Sequence, residues 1–288
     1  MGTAVFTGRV AVMTAGVNVN SFAENALRAA VRLWFVVAVS GQLMLAAYVA
    51  WFYGSTALQG QVEAWNRVLS RGYIRGDAIG NLAVIVHLLA ALILIAGGAI
   101  QLIPQVRDRV PALHRWTGRV YLLAAVSTSL AGLYMTWIRG TRGDVTQHVG
   151  GSLNAILIIL CAVLAVRSAL ARRFAAHRRW VLRLFMVVSG AWFYRVGLFF
   201  WLLLNRGPVG FDLRTFQGPA LTFLSFANSL VPLAVLELYL RAQSRAAAPG
   251  RLAMAVALFV LTIAMGIGIV GATVGMWLPI IRTGQLRF

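Results

Sequence analysis

The sequence predicts an all-α integral membrane protein with about seven transmembrane helices. The 288 residues are 60% hydrophobic and only 11% charged, whereas soluble domains carry roughly 25% charged residues. The mean hydropathy is +0.80. Seven apolar stretches have the length of about 20 residues that a helix needs to cross a bilayer. The predicted spans are Leu33–Tyr53, Gly80–Ile103, Trp116–Ile138, His148–Val166, Trp180–Leu204, Ala220–Leu240 and Leu252–Ile281.

The segments outside these spans are short. Residues 1–30 are predicted to form a short cytoplasmic lead-in, and residues 31–288 a single transmembrane domain. Between the first two spans, Leu58, Val62, Trp65 and Leu69 recur at the spacing of one helical face. This pattern predicts an amphipathic helix that lies on the membrane surface.

The arginines predict the orientation of the chain. All 26 basic residues are Arg, and the net charge is +19. The amino-terminal side of the predicted spans carries 16 of them, the opposite side 9, and Arg195 lies within a span. The positive-inside rule then places the amino terminus in the cytoplasm and the carboxyl terminus outside. Arg without Lys is typical of a high-GC bacterial genome, so we expect the bacterial cytoplasmic (inner) membrane.

The same distribution of charge argues against a nucleic-acid-binding protein. A strongly basic soluble protein would suggest a nucleic-acid partner. Here most arginines lie in short loops between apolar stretches, where membrane topology and contact with lipid phosphates account for them. The lipid bilayer is therefore the expected partner, and no nucleic acid is expected.

The third and fifth spans open with related motifs. The first reads His114-Arg115-Trp116-Thr117-Gly118-Arg119-Val120-Tyr121, and the second reads His177-Arg178-Arg179-Trp180-Val181-Leu182-Arg183-Leu184-Phe185. With one extra Arg in the second copy, both follow the pattern His-Arg-(Arg)-Trp-x-x-Arg-x-aromatic. Spans two and three therefore form a hairpin that is repeated as spans four and five, and residues 79–205 are predicted to form a central four-helix bundle.

All four histidines belong to this repeated unit. His87 precedes His114 by 27 residues, and His148 precedes His177 by 29. A repeat of two helices keeps its topology, so an axis along the membrane normal should relate the copies and place equivalent residues at equal depth. We expect His87 and His148 near the outer face, and His114 and His177 at the inner face.

Paired neutral imidazoles on facing helices are what a b-type haem needs as axial ligands. The four histidines therefore predict up to two haem b groups and electron transfer across the membrane, as in a membrane oxidoreductase component with a quinone or another redox partner. Three alternatives stay open. His114 and His177 could instead bind lipid phosphates together with neighbouring arginines, His87 and His148 could be buried structural histidines, and a metal other than haem could bind. The lipid-binding arginines would be Arg115, Arg119, Arg178, Arg179 and Arg183.

Arg195 is a further candidate site residue, because an intramembrane Arg needs an anionic partner. It follows His177 by 18 residues, which is five turns of an unbroken helix. The two side chains should then point the same way, about 27 Å apart. A haem propionate, Glu237 or a substrate carboxylate would serve as the partner.

These motifs resemble a bacterial family of predicted membrane proteins, domain of unknown function 2306. The resemblance is carried by His87, the two motifs above and Arg195, and it covers roughly positions 80 to 200. It implies a fold and a membrane location but no established activity. The layout of four histidines on four helices is also similar in plan to cytochrome b561, in which paired histidines hold two haems.

Two functions therefore follow from the sequence. The first is a b-type cytochrome-like protein that transfers electrons across the membrane. The alternative is a non-redox polytopic protein, a transporter or a scaffold that binds lipids or anions. In the last span, Gly271 and Gly275 form a GxxxG pattern, which is typical of close helix packing or of a homodimer interface.

Overall fold

The computed structural model describes the backbone of residues 4–283 and the side chains of residues 19–283. Within this part, the only bridge between extended segments pairs Asp212 with Gln217, and the rest is helices and loops. The helices are α1 (Ala4–Leu58), α2 (Ala78–Leu102), α3 (Pro104–Arg109), α4 (Pro111–Tyr134), α5 (Val145–Leu170), α6 (Phe174–Val188), α7 (Gly190–Asn205), α8 (Pro219–Arg245), α9 (Ala248–Ala272) and α10 (Leu278–Thr283).

The all-α membrane fold is confirmed. Among the described residues, six helices are long and apolar enough to cross a membrane, and α6 with α7 forms a bent seventh. A π-helical turn extends α4 over Met135–Gly140, and another joins α9 to α10 over Thr273–Trp277. Outward-facing apolar side chains such as those of Leu123, Ile156 and Val260 are more than half exposed, as expected for a surface in contact with lipid.

The first span is much longer than predicted. Helix α1 has 55 residues, which is about 80 Å at 1.5 Å per residue. It passes residue 30 without a break, so the lead-in predicted for residues 1–30 is helical from Ala4 and continuous with the span. Leu27 and Ala30 pack with Ala242 and Leu258 in a hydrophobic cluster that joins α1 to α8 and α9.

The prediction of an amphipathic surface helix between Leu58 and Leu69 is wrong. The structure has a 3-10 helix of six residues, Val62–Arg67. Gly60 takes a left-handed conformation with φ of 69°, which reverses the chain direction after α1. The Trp65 side chain is therefore buried against α1, and its Nε1 donates a hydrogen bond to Thr56 Oγ1 at 2.9 Å.

The predicted central unit is present as four packed helices. Helix α2 packs against α4, α4 against α5, and α5 against α6. The remaining spans surround this unit, with α1 packed on α2 and α9, and α8 on α5, α6 and α7. We call the side on which α4 and α6 begin the Arg-rich side.

The fifth span is not one straight helix. It breaks at Ser189 between α6 and α7, which are bent by 50° relative to each other. After the bend, α7 packs against α9 and α8. The predicted alignment of His177 with Arg195 required an unbroken helix, so that prediction is wrong.

An ion pair closes the end of the bundle opposite the Arg-rich side. The side chain of Arg139 is only 2% exposed, and its Nη1 lies 3.2 Å from Asp77 Oδ2. Arg139 also donates to Asn81 Oδ1 at 2.7 Å and to the Arg71 carbonyl oxygen at 2.6 Å, while Arg71 donates to the Arg139 carbonyl oxygen. These contacts tie the loop after α1 to α2 and to the end of the third span.

We predict that Asp77→Ala destabilises the protein much more than Asp144→Ala. Both carboxylates cap a transmembrane helix, since Asp77 accepts from Gly80 N and Asp144 accepts from Gln147 N. Asp144→Ala removes a cap, which costs about 1 kcal/mol. Asp77→Ala also leaves buried Arg139 without its partner, which costs about 3–5 kcal/mol. The free energy of unfolding in SDS measures both changes, and equal losses would contradict this role of the ion pair.

Candidate functional site

The two copies of the repeated motif form the same local contacts. In the first copy, the Arg119 guanidinium lies 5.0 Å from the ring centroid of Trp116. In the second copy, Arg183 lies 4.5 Å from the ring of Trp180. Each is a cation–π contact between neighbours on one helical face. The repeat read from the sequence is therefore also a repeat of local side-chain geometry.

The aromatic residues that close the two motifs meet in the centre of the bundle. Tyr121 is 5% exposed and Phe185 is 4% exposed. Both rings pack on Gly98 of α2, where an added Cβ atom would lie 3.3–3.4 Å from them. Both also line a cavity of about 180 Å³, called here the central cavity.

His87 lines this central cavity from α2. Its Nδ1 lies 3.0 Å from the carbonyl oxygen of Thr128 on α4, and the Thr128 hydroxyl lies 3.1 Å from the same nitrogen. Since a carbonyl oxygen can only accept, Nδ1 carries the proton and Nε2 is an acceptor. His87 is thus fixed in the tautomer that leaves Nε2 available.

His148 does not join His87 at this cavity. Its Nε2 lies 3.3 Å from Thr141 Oγ1, and its ring packs on Trp137. The two histidines also contact the third span at different levels, His87 at Thr128 and His148 at Trp137. Nine residues correspond to about 13 Å along a helix, so the prediction of equal depth is wrong.

The inner histidines, His114 and His177, lie near each other. His114 and His177 are near enough to interact electrostatically. His177 Nδ1 donates to the Ala165 carbonyl oxygen at 2.9 Å, whereas His114 Nδ1 is buried without a hydrogen-bond partner. Gln101 donates to the carbonyl oxygen of His114. Neither imidazole lines the central cavity.

Arg195 is held by its own helix. Its Nη1 donates to the Ala191 carbonyl oxygen at 2.8 Å, and no carboxylate of the described residues forms an ion pair with it. The predicted pairing with Glu237 is wrong, because Glu237 binds Arg183 at 2.6 Å. Arg195 lies within electrostatic range of His87 and of Tyr48.

Polar side chains surround the break in the fifth span. Gln42 of α1 donates to Ser189 Oγ at 2.9 Å, and Ser189 Oγ donates to the Phe185 carbonyl oxygen at 2.8 Å. Gly190 leaves room for two amides, since an added Cβ atom would lie 2.8 Å from Asn154 Oδ1 and 2.9 Å from Asn228 Oδ1. The sequence interpretation missed these residues, although lone polar side chains in apolar spans are a recognised signal.

A much larger cavity, called here the chamber, opens beside the bend. Its volume is about 1080 Å³. Its lining comes from the bent fifth span, α8, α1 and α9, and from residues 102–105 at the junction of α2 and α3. Apolar residues from all five helices line most of it; examples are Trp34, Leu182, Phe193, Val196, Leu236 and Leu261.

The charged lining residues of the chamber lie at its Arg-rich end. They are Arg28 and Arg32 of α1 together with Arg178 and Arg179 of α6. All four are exposed, and none forms an ion pair with a carboxylate of the described residues. The sequence interpretation counted Arg28 and Arg32 for topology alone, although their i, i+4 spacing places both on one helical face.

The arginines predicted to bind lipid therefore divide into three groups. Arg178 and Arg179 line the chamber. Arg115 and Arg119 belong to the first copy of the motif, in which Arg119 is the counterpart of Arg183; both are exposed but do not line it. Arg183 is engaged in the ion pair with Glu237.

The glycines of the last span serve packing within the chain. An added Cβ atom at Gly271 would lie 2.7 Å from Leu203, and one at Gly275 would lie 2.7 Å from Phe199. The close-packing interpretation of the GxxxG pattern is confirmed, and α7 occupies the face that a homodimer would use. A homodimer through this last span stays a prediction.

Comparison with known families finds a match over the central part of the chain. Residues 84–222 match the family described as "Predicted membrane protein (DUF2306)". The matched segment has 139 of the 288 residues. It contains all four histidines, both motifs, the bend in the fifth span and Arg195. No curated protein and no solved structure matches the chain, so the likeness in plan to cytochrome b561 stays a prediction.

Proposed function

We propose that this multi-pass membrane protein binds an anionic amphiphile, a lipid with an acidic head group, in the chamber. The observation that carries the proposal is an apolar cavity of about 1080 Å³ whose charged lining consists of four arginines at one end. Apolar tails would occupy the interior, and the guanidinium groups of Arg28, Arg32, Arg178 and Arg179 would bind the head group.

The dimensions support a lipid rather than a small solute. Typical small-molecule pockets measure about 300–1,000 Å³, and the chamber, at about 1080 Å³, slightly exceeds that range. Along α8 it extends from Val231 to Ser244, which is about 20 Å at 1.5 Å per residue. A hydrocarbon core of about 30 Å means that an amphiphile with its head at the surface would reach past the middle of the membrane.

The charge pattern supports an anionic head group. A guanidinium binds phosphate or carboxylate through two parallel hydrogen bonds. The positive-inside rule predicts that this end of the chamber faces the cytoplasmic leaflet, where acidic lipids give a negative surface potential. Arginines without carboxylate partners at the surface of that leaflet are suited to binding a phosphate-containing head group.

We predict that Arg178→Gln with Arg179→Gln reduces the retention of acidic lipid by about tenfold, because it removes two exposed charge-assisted contacts that contribute up to about 1 kcal/mol each. Native mass spectrometry of protein loaded with phosphatidylglycerol or phosphatidylcholine measures the retained lipid. The first copy of the motif provides a control, since Arg115→Gln with Arg119→Gln also removes two exposed charges but at positions that do not line the chamber. Equal effects of the two double variants would contradict the proposal.

A redox function is the second candidate. His87 and His177 each donate Nδ1–H to a backbone carbonyl, an arrangement that orients metal-ligating histidines. The fit is weaker than for lipid. His114 and His177 line neither cavity, and the central cavity beside His87 is about 180 Å³, smaller than typical cofactor pockets of about 300–1,000 Å³.

The redox candidate predicts that protein purified after expression with haem supply shows a Soret absorption band. His177→Gln should abolish the band, because it removes an axial imidazole of the inner pair. Arg172→Gln, an exposed change in the preceding turn, should leave the band unchanged. A colourless wild-type protein, or a Soret band that is unchanged in His177→Gln, would rule out a haem at the inner pair of histidines.

A further inference from the structure

We propose that the central cavity binds a small neutral molecule with a single ring, able both to donate and to accept hydrogen bonds. This inference is independent of lipid binding in the chamber. The two cavities share a single lining residue, Phe185. A ligand in one would therefore leave the other accessible.

The size of the central cavity sets the size of the ligand. An engineered apolar cavity of about 150 Å³ is large enough to bind benzene. The central cavity measures about 180 Å³, so it accommodates one six-membered ring with a polar substituent. The side chains of Tyr121, Phe185 and Trp192 line it and offer aromatic contacts to such a ring.

Buried polar atoms without partners indicate a ligand that forms hydrogen bonds. Trp192 is 2% exposed and Tyr121 is 5% exposed, yet Trp192 Nε1 and the Tyr121 hydroxyl have no partner. Asn154 Oδ1, also a lining residue, has none either. His87 Nε2 adds an acceptor. Since buried polar groups are normally hydrogen-bonded, small rotations of these lining side chains toward a ligand with a donor and an acceptor would satisfy the atoms that the protein leaves free.

The lining also favours a neutral ligand. No Arg, Asp or Glu side chain lines the central cavity, and a buried ion without a counter-charge is strongly disfavoured. The nearby Arg195, within electrostatic range of His87, disfavours a cation further. The location of the cavity also supports a binding role. It adjoins the break in the fifth span, and in membrane proteins irregular backbone is tolerated where it lines a cavity.

The test uses 4-fluorophenol as the probe, with fluorobenzene and 4-fluorobenzoate as matched probes that lack the hydroxyl or carry a charge. Fluorine NMR of purified protein in detergent measures saturable line broadening of each. We expect saturable binding of 4-fluorophenol and at least about tenfold weaker binding of the other two. No saturable binding of 4-fluorophenol, equal binding of fluorobenzene, or preferred binding of 4-fluorobenzoate would each overturn the proposal.

Two variants locate the binding. Ala155→Phe fills the cavity, since Ala155 is 7% exposed and lines it, and it should abolish the saturable broadening. Ile156→Phe changes the next residue, which is 57% exposed, and should leave binding intact. Equal binding by both variants would overturn the site.

A milder pair keeps the test valid if Ala155→Phe does not fold. Trp192→Phe retains the ring and removes the free donor, so 4-fluorophenol should bind roughly three- to tenfold more weakly. Trp201→Phe is the control, because Trp201 Nε1 already donates to the Val209 carbonyl oxygen and does not line the cavity. An unchanged affinity in Trp192→Phe would overturn the assigned role of this donor.

Discussion

The break in the fifth span at Ser189 is the feature on which both cavities depend. Inside a bilayer there is no water to satisfy free backbone groups, so an interrupted helix needs partners from the protein. The hydroxyl of Ser189 is held between Gln42 Nε2 and the Phe185 carbonyl oxygen, and two asparagine amides pack against Gly190. These contacts stabilise the 50° bend between α6 and α7. The bend carries α7 to α9 and opens the chamber, while the polar residues around it line or adjoin the central cavity.

The chamber and the central cavity differ in size, in charge and in polarity. The chamber is large and apolar with cations at one end, which favours an amphiphile whose head stays at the membrane surface. The central cavity is small and uncharged, and it holds polar atoms that the protein leaves unpartnered. Phe185 separates the two. It closes the second motif and packs opposite its counterpart Tyr121 on Gly98, so the internal repeat itself builds the wall between them.

The sequence predicted what depends on composition and local spacing, and it failed where tertiary contacts decide. Low charge and long apolar stretches predicted seven spans, and the His-Arg-Trp motifs predicted a repeat that the Trp116–Arg119 and Trp180–Arg183 contacts reproduce. The bend was not predictable from hydropathy, because Ser189 and Gly190 are tolerated in apolar helices and only the contact with Gln42 identifies the site. The prediction of equal depth for His87 and His148 failed because tertiary contacts place His87 beside Thr128 and His148 beside Trp137 of the third span.

The central claim is that the chamber holds an amphiphile with its acidic head group on the arginines. A cryo-electron microscopy reconstruction of the protein in nanodiscs that contain phosphatidylglycerol tests it most directly. The account predicts elongated density that begins between Arg28, Arg32, Arg178 and Arg179 and continues along the chamber toward Phe193 and Phe200. A chamber without lipid density, or one closed by a straight fifth span that packs α7 in line with α6, would contradict it.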